Sequence, residues 1–297
     1  MNEYTPSPSP QGKPCRRAIR YLYVLFAVTA LCIIAGTACS VLAFDGQTRY
    51  FTSEYAGIAV FALLTICSVI AVTAFFVFDN NEADTDGIRH SKARYLILPE
   101  LFLALACFRP ALKDVGGKIV AASQSDAKNS SLTVIALALL LVAFVLGFMY
   151  SCRFAFKSPP GTFTAVTGIC RIVFFIYIIT TLYFDMQVEL NSPYKLIVQF
   201  TAATAAIQTC ADTRGVISGI TRRTYVAAKA LSMTFGAFCF ALMLGSTAKG
   251  IALPDNSYLL YSAFFLSISI FNAYELTRIA RSPEIQPQEF VERNDEI

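Results

Sequence analysis

The sequence predicts an all-α, polytopic membrane protein, a transmembrane helical bundle of about eight spans. Three observations carry this. Of 297 residues, 56% are hydrophobic and 15% charged, whereas a soluble domain of this size carries about 25% charged residues. The apolar residues gather in runs close to the ~20 residues that a helix rising about 1.5 Å per residue needs to cross a hydrocarbon core. The basic residues stand at the ends of those runs and favour one side.

Residues 1–15 form a Pro- and Ser-rich tail with no apolar periodicity, which predicts disorder. Arg16, Arg17 and Arg20 precede the first run, Tyr21–Phe44. A twin-arginine export signal and a lipoprotein site at Cys39 fit its flanking residues poorly. The run is also about twice the length of a cleaved signal's apolar core, so an uncleaved span with a cytoplasmic N-terminus is expected. The second span, Ala56–Phe78, leads into a loop that starts acidic and ends with Arg89, Lys92 and Arg94.

The third run, Tyr95–Phe108, contains Pro99 and Glu100. Its large apolar residues favour insertion by roughly 0.3–0.6 kcal/mol each, and a buried acid costs about 2.5–3.5, so the sum is near zero. The segment crosses either with help from neighbours or by extending past Arg109-Pro110 into Ala111–Val120. The fourth span, Leu132–Tyr150, has no charge and twelve Leu, Ile, Val or Phe residues. Its sum of roughly −4 to −7 kcal/mol inserts it unaided. The fifth is Thr162–Phe184, with Arg171 inside. Asn191-Ser192-Pro193 is a helix start and opens the sixth, Tyr194–Ala211. The seventh, Tyr225–Leu244, holds Lys229. The eighth, Tyr258–Tyr274, runs into Glu275 and a basic end.

Eight spans place both termini on one side. That side collects fifteen Lys and Arg residues, against seven in the opposite loops, which assigns it to the cytoplasm. Four of the seven, Arg109, Lys113, Lys118 and Lys128, follow the third run, so the count falls to seven spans if that run does not cross. A cysteine introduced at Lys118 and one at Asn191 should both be labelled from outside; labelling at Lys118 only from inside would mean seven spans.

The chain divides into a membrane half at 16–159, a second at 160–283 and a cytoplasmic tail at 284–297. Spans one and five end alike, at Phe44-Asp45 and Phe184-Asp185. Spans four and eight both end in Tyr followed by a basic-Ser-Pro triplet, Lys157-Ser158-Pro159 and Arg281-Ser282-Pro283. A 4+4 parallel internal repeat accounts for both.

Glu100, Arg171, Lys229 and Glu275 lie within or at the edges of apolar runs, at similar depth from one side. They are candidates for an intramembrane polar network; the alternative is that Arg171 and Lys229 reach out to the headgroups while Glu275 simply ends its span. Thr201, Thr204, Gln208 and Asp212 recur at helical spacing and form one polar face of the sixth span. That face lines a pathway or, beside Ala202, Ala205 and Ala206, packs closely against another helix.

The nine cysteines are odd in number, contain no C-x-x-C and read as small apolar residues. His90 is the single histidine, which excludes a His-rich metal site and leaves a His–Cys pair open. The phosphate-binding, zinc-protease and nucleophile-elbow motifs are missing; Gly215-Val216-Ile217-Ser218-Gly219 has its serine one place out. The small net charge of +4 makes no case for nucleic acid. No catalytic residue, metal or cofactor is assigned.

The spans and the LYFDMQVELNSPYK segment between the fifth and sixth resemble uncharacterised multi-pass membrane proteins of gram-positive bacteria. The resemblance implies a bacterial cell membrane and no known activity. The function expected is that of a non-enzymatic membrane component, transporter-like or part of a membrane complex. The alternatives are a structural or sensor partner, and a membrane-embedded enzyme acting on lipid, which would need polar groups around His90 and Asp79–Asp86. The partners expected are the lipid bilayer and a second membrane protein or another copy of the chain.

Overall fold

In hydrocarbon every backbone N–H and C=O must find a partner within the protein, and a helix supplies these partners within one segment. A computed structural model of the chain shows this solution throughout. It describes residues 16–45, 50–78, 81, 83, 97–124, 130–156, 161–184, 192–248 and 256–281. The helices are α1 (Arg16–Ala43), α2 (Glu54–Val72), the single turn α3 (Ala74–Val77), α4 (Ile97–Ser123), α5 (Ser130–Phe156), α6 (Thr162–Phe184), α7 (Pro193–Ile217), α8 (Arg222–Ala248) and α9 (Asn256–Arg281). No strand occurs among the described residues; an isolated bridge pairs Phe44 with Phe51 between α1 and α2. Among the described residues six spans, on α1, α2 with α3, α5, α6, α8 and α9, are long and apolar enough to cross a membrane. The chain is an integral, multi-pass membrane protein.

Helix α4 settles how far the third run extends. It does not stop at Phe108 but continues through Arg109 and Pro110 to Ser123, about 40 Å at ~1.5 Å per residue. A proline inside a helix removes one hydrogen bond, a loss that membrane helices absorb where neighbours surround them. Helix α4 packs on α5 and α9, and its side chains also reach α6. Near its start Glu100 meets Ser151. Midway, Phe108 packs on Phe144, Phe148 and Phe174. Further on, the Tyr177 hydroxyl donates to Asp114 at 2.7 Å. Arg109, Lys113 and Lys118, expected in a loop, therefore stand on a helix, with Lys118 paired to Asp114. Lys195, also expected in a loop, is buried in the first turn of α7.

Each of α4 to α9 packs on the next, and α9 returns to α4, so six helices close into a ring. Phenylalanines fill its interior. Phe174 lies 4.0 Å from Phe108 and 5.4 Å from Phe144, and Phe175 lies 6.2 Å from both Phe264 and Phe265, centroid to centroid. Helices α1 and α2 lie outside the ring, with their main contacts to α8 and to each other; the Cys32 and Cys67 thiols touch at 3.1 Å between them.

The more apolar spans are the less buried ones, with α8 and α9 the two least apolar and the two most buried. The most apolar window, on α5, is 11% buried, while that of α8, with lower hydropathy, is 89% buried. Lipid solvates aliphatic side chains as well as a protein core does, so the most apolar helix stays outside and the one rich in small and polar residues goes in. Two glycines shape the site region. A Cβ at Gly147 would meet the backbone of Arg171 at 3.1 Å, so its absence lets α5 and α6 approach where Arg171 sits. Gly219, at φ 77°, ends α7 in the left-handed conformation that glycine adopts without strain. Ser218, the misplaced serine of the elbow-like pentapeptide, is the preceding cap residue.

Candidate functional site: two buried charge clusters at one end of the bundle

Consecutive long helices of the ring alternate in direction. The starts of α4, α6 and α8 therefore meet the ends of α5, α7 and α9, and the intramembrane charges converge at that end.

The first cluster joins α4, α5 and α6. Arg171 Nη1 lies 2.8 Å from Glu100 Oε1 and donates to Ser151 Oγ at 2.6 Å; Ser151 Oγ donates in turn to Glu100 Oε1 at 3.1 Å. The guanidinium also lies over the rings of Tyr150, Phe175 and Phe264, at 5.2, 5.5 and 5.6 Å. One cation faces one anion, and aromatic faces hold the cation's flanks. Arg171 is 4% exposed: its head turns inward and does not reach for the headgroups.

The second cluster joins α7, α8 and α9 around Lys229. The ammonium lies 2.9 Å from Asp212 Oδ1 and is ion-paired with Glu275 Oε2. Asp212 also accepts from Gln208 Nε2 at 3.2 Å, and Gln208 Oε1 accepts from Asn272 Nδ2 at 2.8 Å. The Tyr225 ring lies 4.7 Å from the ammonium. Lys229 and Glu275 are each 0% exposed. Here one lysine serves two carboxylates.

The four charged candidates thus form two clusters, Glu100 with Arg171 and Lys229 with Glu275, and the second draws in Asp212 from the polar face of α7. That face divides. Gln208 and Asp212 belong to the cluster. Thr201 donates to Ile197 O at 2.7 Å and to Phe235 O at 3.4 Å, and Thr204 donates to Thr201 O at 2.8 Å, so these hydroxyls are engaged in packing.

Ser151, Tyr225 and Asn272 belong to the site without having been singled out in the sequence. Asn272 carries a usable signal, since it stands three residues before Glu275 and so shares its helix face. Ser151 carries none, being one hydroxyl at the end of an apolar run. Among the described residues no group of three or more His, Cys, Asp and Glu side chains is placed to hold a metal. His90 and all but two positions of the loop from Asp79 to Arg94 lie outside the described residues. No protein-family model, curated protein or solved structure matches the chain.

Proposed function

We propose that the chain is a transporter-like, non-enzymatic protein of the cell membrane with both termini in the cytoplasm, and that its working site is the Lys229 cluster. The observation that carries this reading is the charge count of that cluster. An ionised side chain deep in a membrane protein is expensive and, where retained, marks an ion or substrate path. A bundle that only needed to cohere would do as well with apolar residues of similar volume. The Glu100–Arg171 pair is matched one to one and sealed by Ser151 and three aromatic rings, which suits a clasp joining α4, α5 and α6. In the Lys229 cluster two carboxylates share one ammonium, with Arg278 one turn beyond Glu275 on α9, and the second carboxylate on that ammonium adds nothing that a clasp requires.

Glu100 and the polar face of α7 do not converge on one site, so the reading rests on the Lys229 cluster alone. The excess of basic residues on the side of the termini supports the orientation. It puts Lys229, seven residues after the start of α8, about 10 Å below the cytoplasmic end of that helix.

Purified protein reconstituted into vesicles should accumulate at least one solute from a mixture of amino acids, sugars, nucleosides and organic acids under an imposed proton gradient. Mass spectrometry of the vesicle contents against protein-free vesicles reads this out, and Glu275→Gln should abolish the accumulation. Folded, correctly inserted protein that accumulates nothing sinks the transporter reading and leaves a structural component of a membrane complex.

A further inference from the structure

The Lys229 cluster contains two buried acceptors with nothing to accept. Glu275 binds Lys229 through Oε2, while its other oxygen, Oε1, accepts no hydrogen bond. Asn272, one turn earlier on the same face of α9, donates through Nδ2 to Gln208, and its Oδ1 likewise accepts nothing. Both residues are 0% exposed. Two buried, unsatisfied acceptors three residues apart on one helix face are costly, and a single proton shared between them relieves both by turning a carboxylate oxygen into a donor.

We propose that the Asp212–Lys229–Glu275 cluster is a proton-binding site that holds one exchangeable proton on Glu275 Oε1, directed at Asn272 Oδ1. The step is a simple protonation: the Glu275 carboxylate takes H⁺ from hydronium and water is left. No other bond breaks and no electrons move.

The two carboxylates are not equivalent. Asp212 accepts from Lys229 and from Gln208, and hydrogen bonds to a carboxylate favour its charged form. Glu275 is ion-paired with Lys229 and accepts no amide N–H. Two anions gathered on one ammonium disfavour each other's ionisation, so the proton goes to the less supported one. With Glu275 protonated, Asp212 and Lys229 match one to one, as Glu100 and Arg171 do.

The groups around the cluster set the balance. On α9, Arg278 stands three residues after Glu275 on the same helix face, a further positive charge near the carboxylate. On α8, Tyr225 lies against the ammonium, and Arg222 donates to Ile279 O of α9. On α1, Tyr21 donates its hydroxyl to Ala71 O at 3.3 Å. The ionisable groups of α4 and α6 nearest this end, Glu100 and Arg171, are committed to each other. Arg278 is therefore the group whose removal should draw the proton in.

This deepens the transporter-like reading by assigning its coupling ion, but its test requires no solute. Infrared difference spectra of the full chain in lipid, recorded between alkaline and acidic pH, should show the carbonyl stretch of one protonated carboxylic acid, shifted by exchange into D₂O. Glu275→Gln, near-isosteric, should lose that band while circular dichroism shows an intact helical fold. Arg278→Gln should move its appearance to higher pH. Asp212→Asn should move it to lower pH, since Glu275 then has Lys229 to itself. The proposal is overturned if no such band appears while the protein stays folded, or if the band survives Glu275→Gln. A band in a protein that moves no solute leaves the proton site standing without the transporter; solute uptake without the band does the reverse.

Discussion

Lys229→Met is expected to be among the most destructive single substitutions in the bundle. It removes the ammonium ion-paired with both Asp212 and Glu275, and leaves two carboxylates that are 7% and 0% exposed. Breaking a buried ion pair by deleting one partner costs about 3–5 kcal/mol, a large part of the roughly 5–15 kcal/mol that holds a typical domain folded. Fully neutralising the cluster, with Lys229→Met, Asp212→Asn and Glu275→Gln together, should recover most of that loss because no charge is left stranded. Asp212→Asn alone should cost little, since it leaves Lys229 and Glu275 matched one to one. Thermal unfolding midpoints in detergent, followed by loss of the monodisperse peak, distinguish these outcomes. A Lys229→Met protein as stable as the lipid-facing control Leu139→Ala, at a residue 65% exposed, would show that the cluster is not held together by its charges.

The spans could be read from the sequence because a membrane makes fold a matter of length and hydropathy. For α4 the sequence leaves two readings, an end at Arg109-Pro110 or an extension past it, and what decides for the extension is contact between Phe108 and the rings of α5 and α6, which belongs to the tertiary packing. The charged residues show the same division. Depth is a one-dimensional quantity that counting from helix ends supplies, and it places Glu100, Arg171, Lys229 and Glu275 in one layer. Pairing depends on which face each helix turns toward its neighbour, and apolar residues surround these charges on every side. The fact that α4 and α6 both lie against α5, while α7 and α9 lie against α8, divides one apparent network into two. Asp212 could be read as the last residue of a polar face, but its partner lies on another helix. The placement of α8 inside and α5 outside also follows from pattern once lipid is taken as the solvent: the cleanest apolar span is the one with least reason to be buried.

Substitutions at Arg171 and Glu100 should differ in their pH dependence, although they break the same pair. Arg171→Leu strands Glu100 beside Ser151, its remaining hydrogen-bond donor in this cluster, and the starting cost is again about 3–5 kcal/mol. A stranded carboxylate escapes by taking a proton. The folded variant then binds one proton more than the unfolded chain, so its stability falls as pH rises, by about 1.4 kcal/mol per pH unit above the unfolded carboxyl's ordinary range near pH 4.3. The deficit of Arg171→Leu should therefore be smallest in acid and grow toward neutrality. Glu100→Gln strands a guanidinium, which has no proton to lose at any accessible pH. Its remaining support is the hydroxyl of Ser151 and the three ring faces at 5.2–5.6 Å, worth about 0.5–2 kcal/mol apiece when desolvated. Its deficit should be flat across the same pH range. The double variant Arg171→Leu with Glu100→Leu strands nothing, and should match or exceed the parent in stability if apolar packing replaces the pair. Unfolding midpoints for the four proteins across pH test each of these expectations. Parallel pH profiles for the two single variants would mean that the pair is broken or hydrated in the membrane, and that the clasp across α4, α5 and α6 is held by its phenylalanines alone.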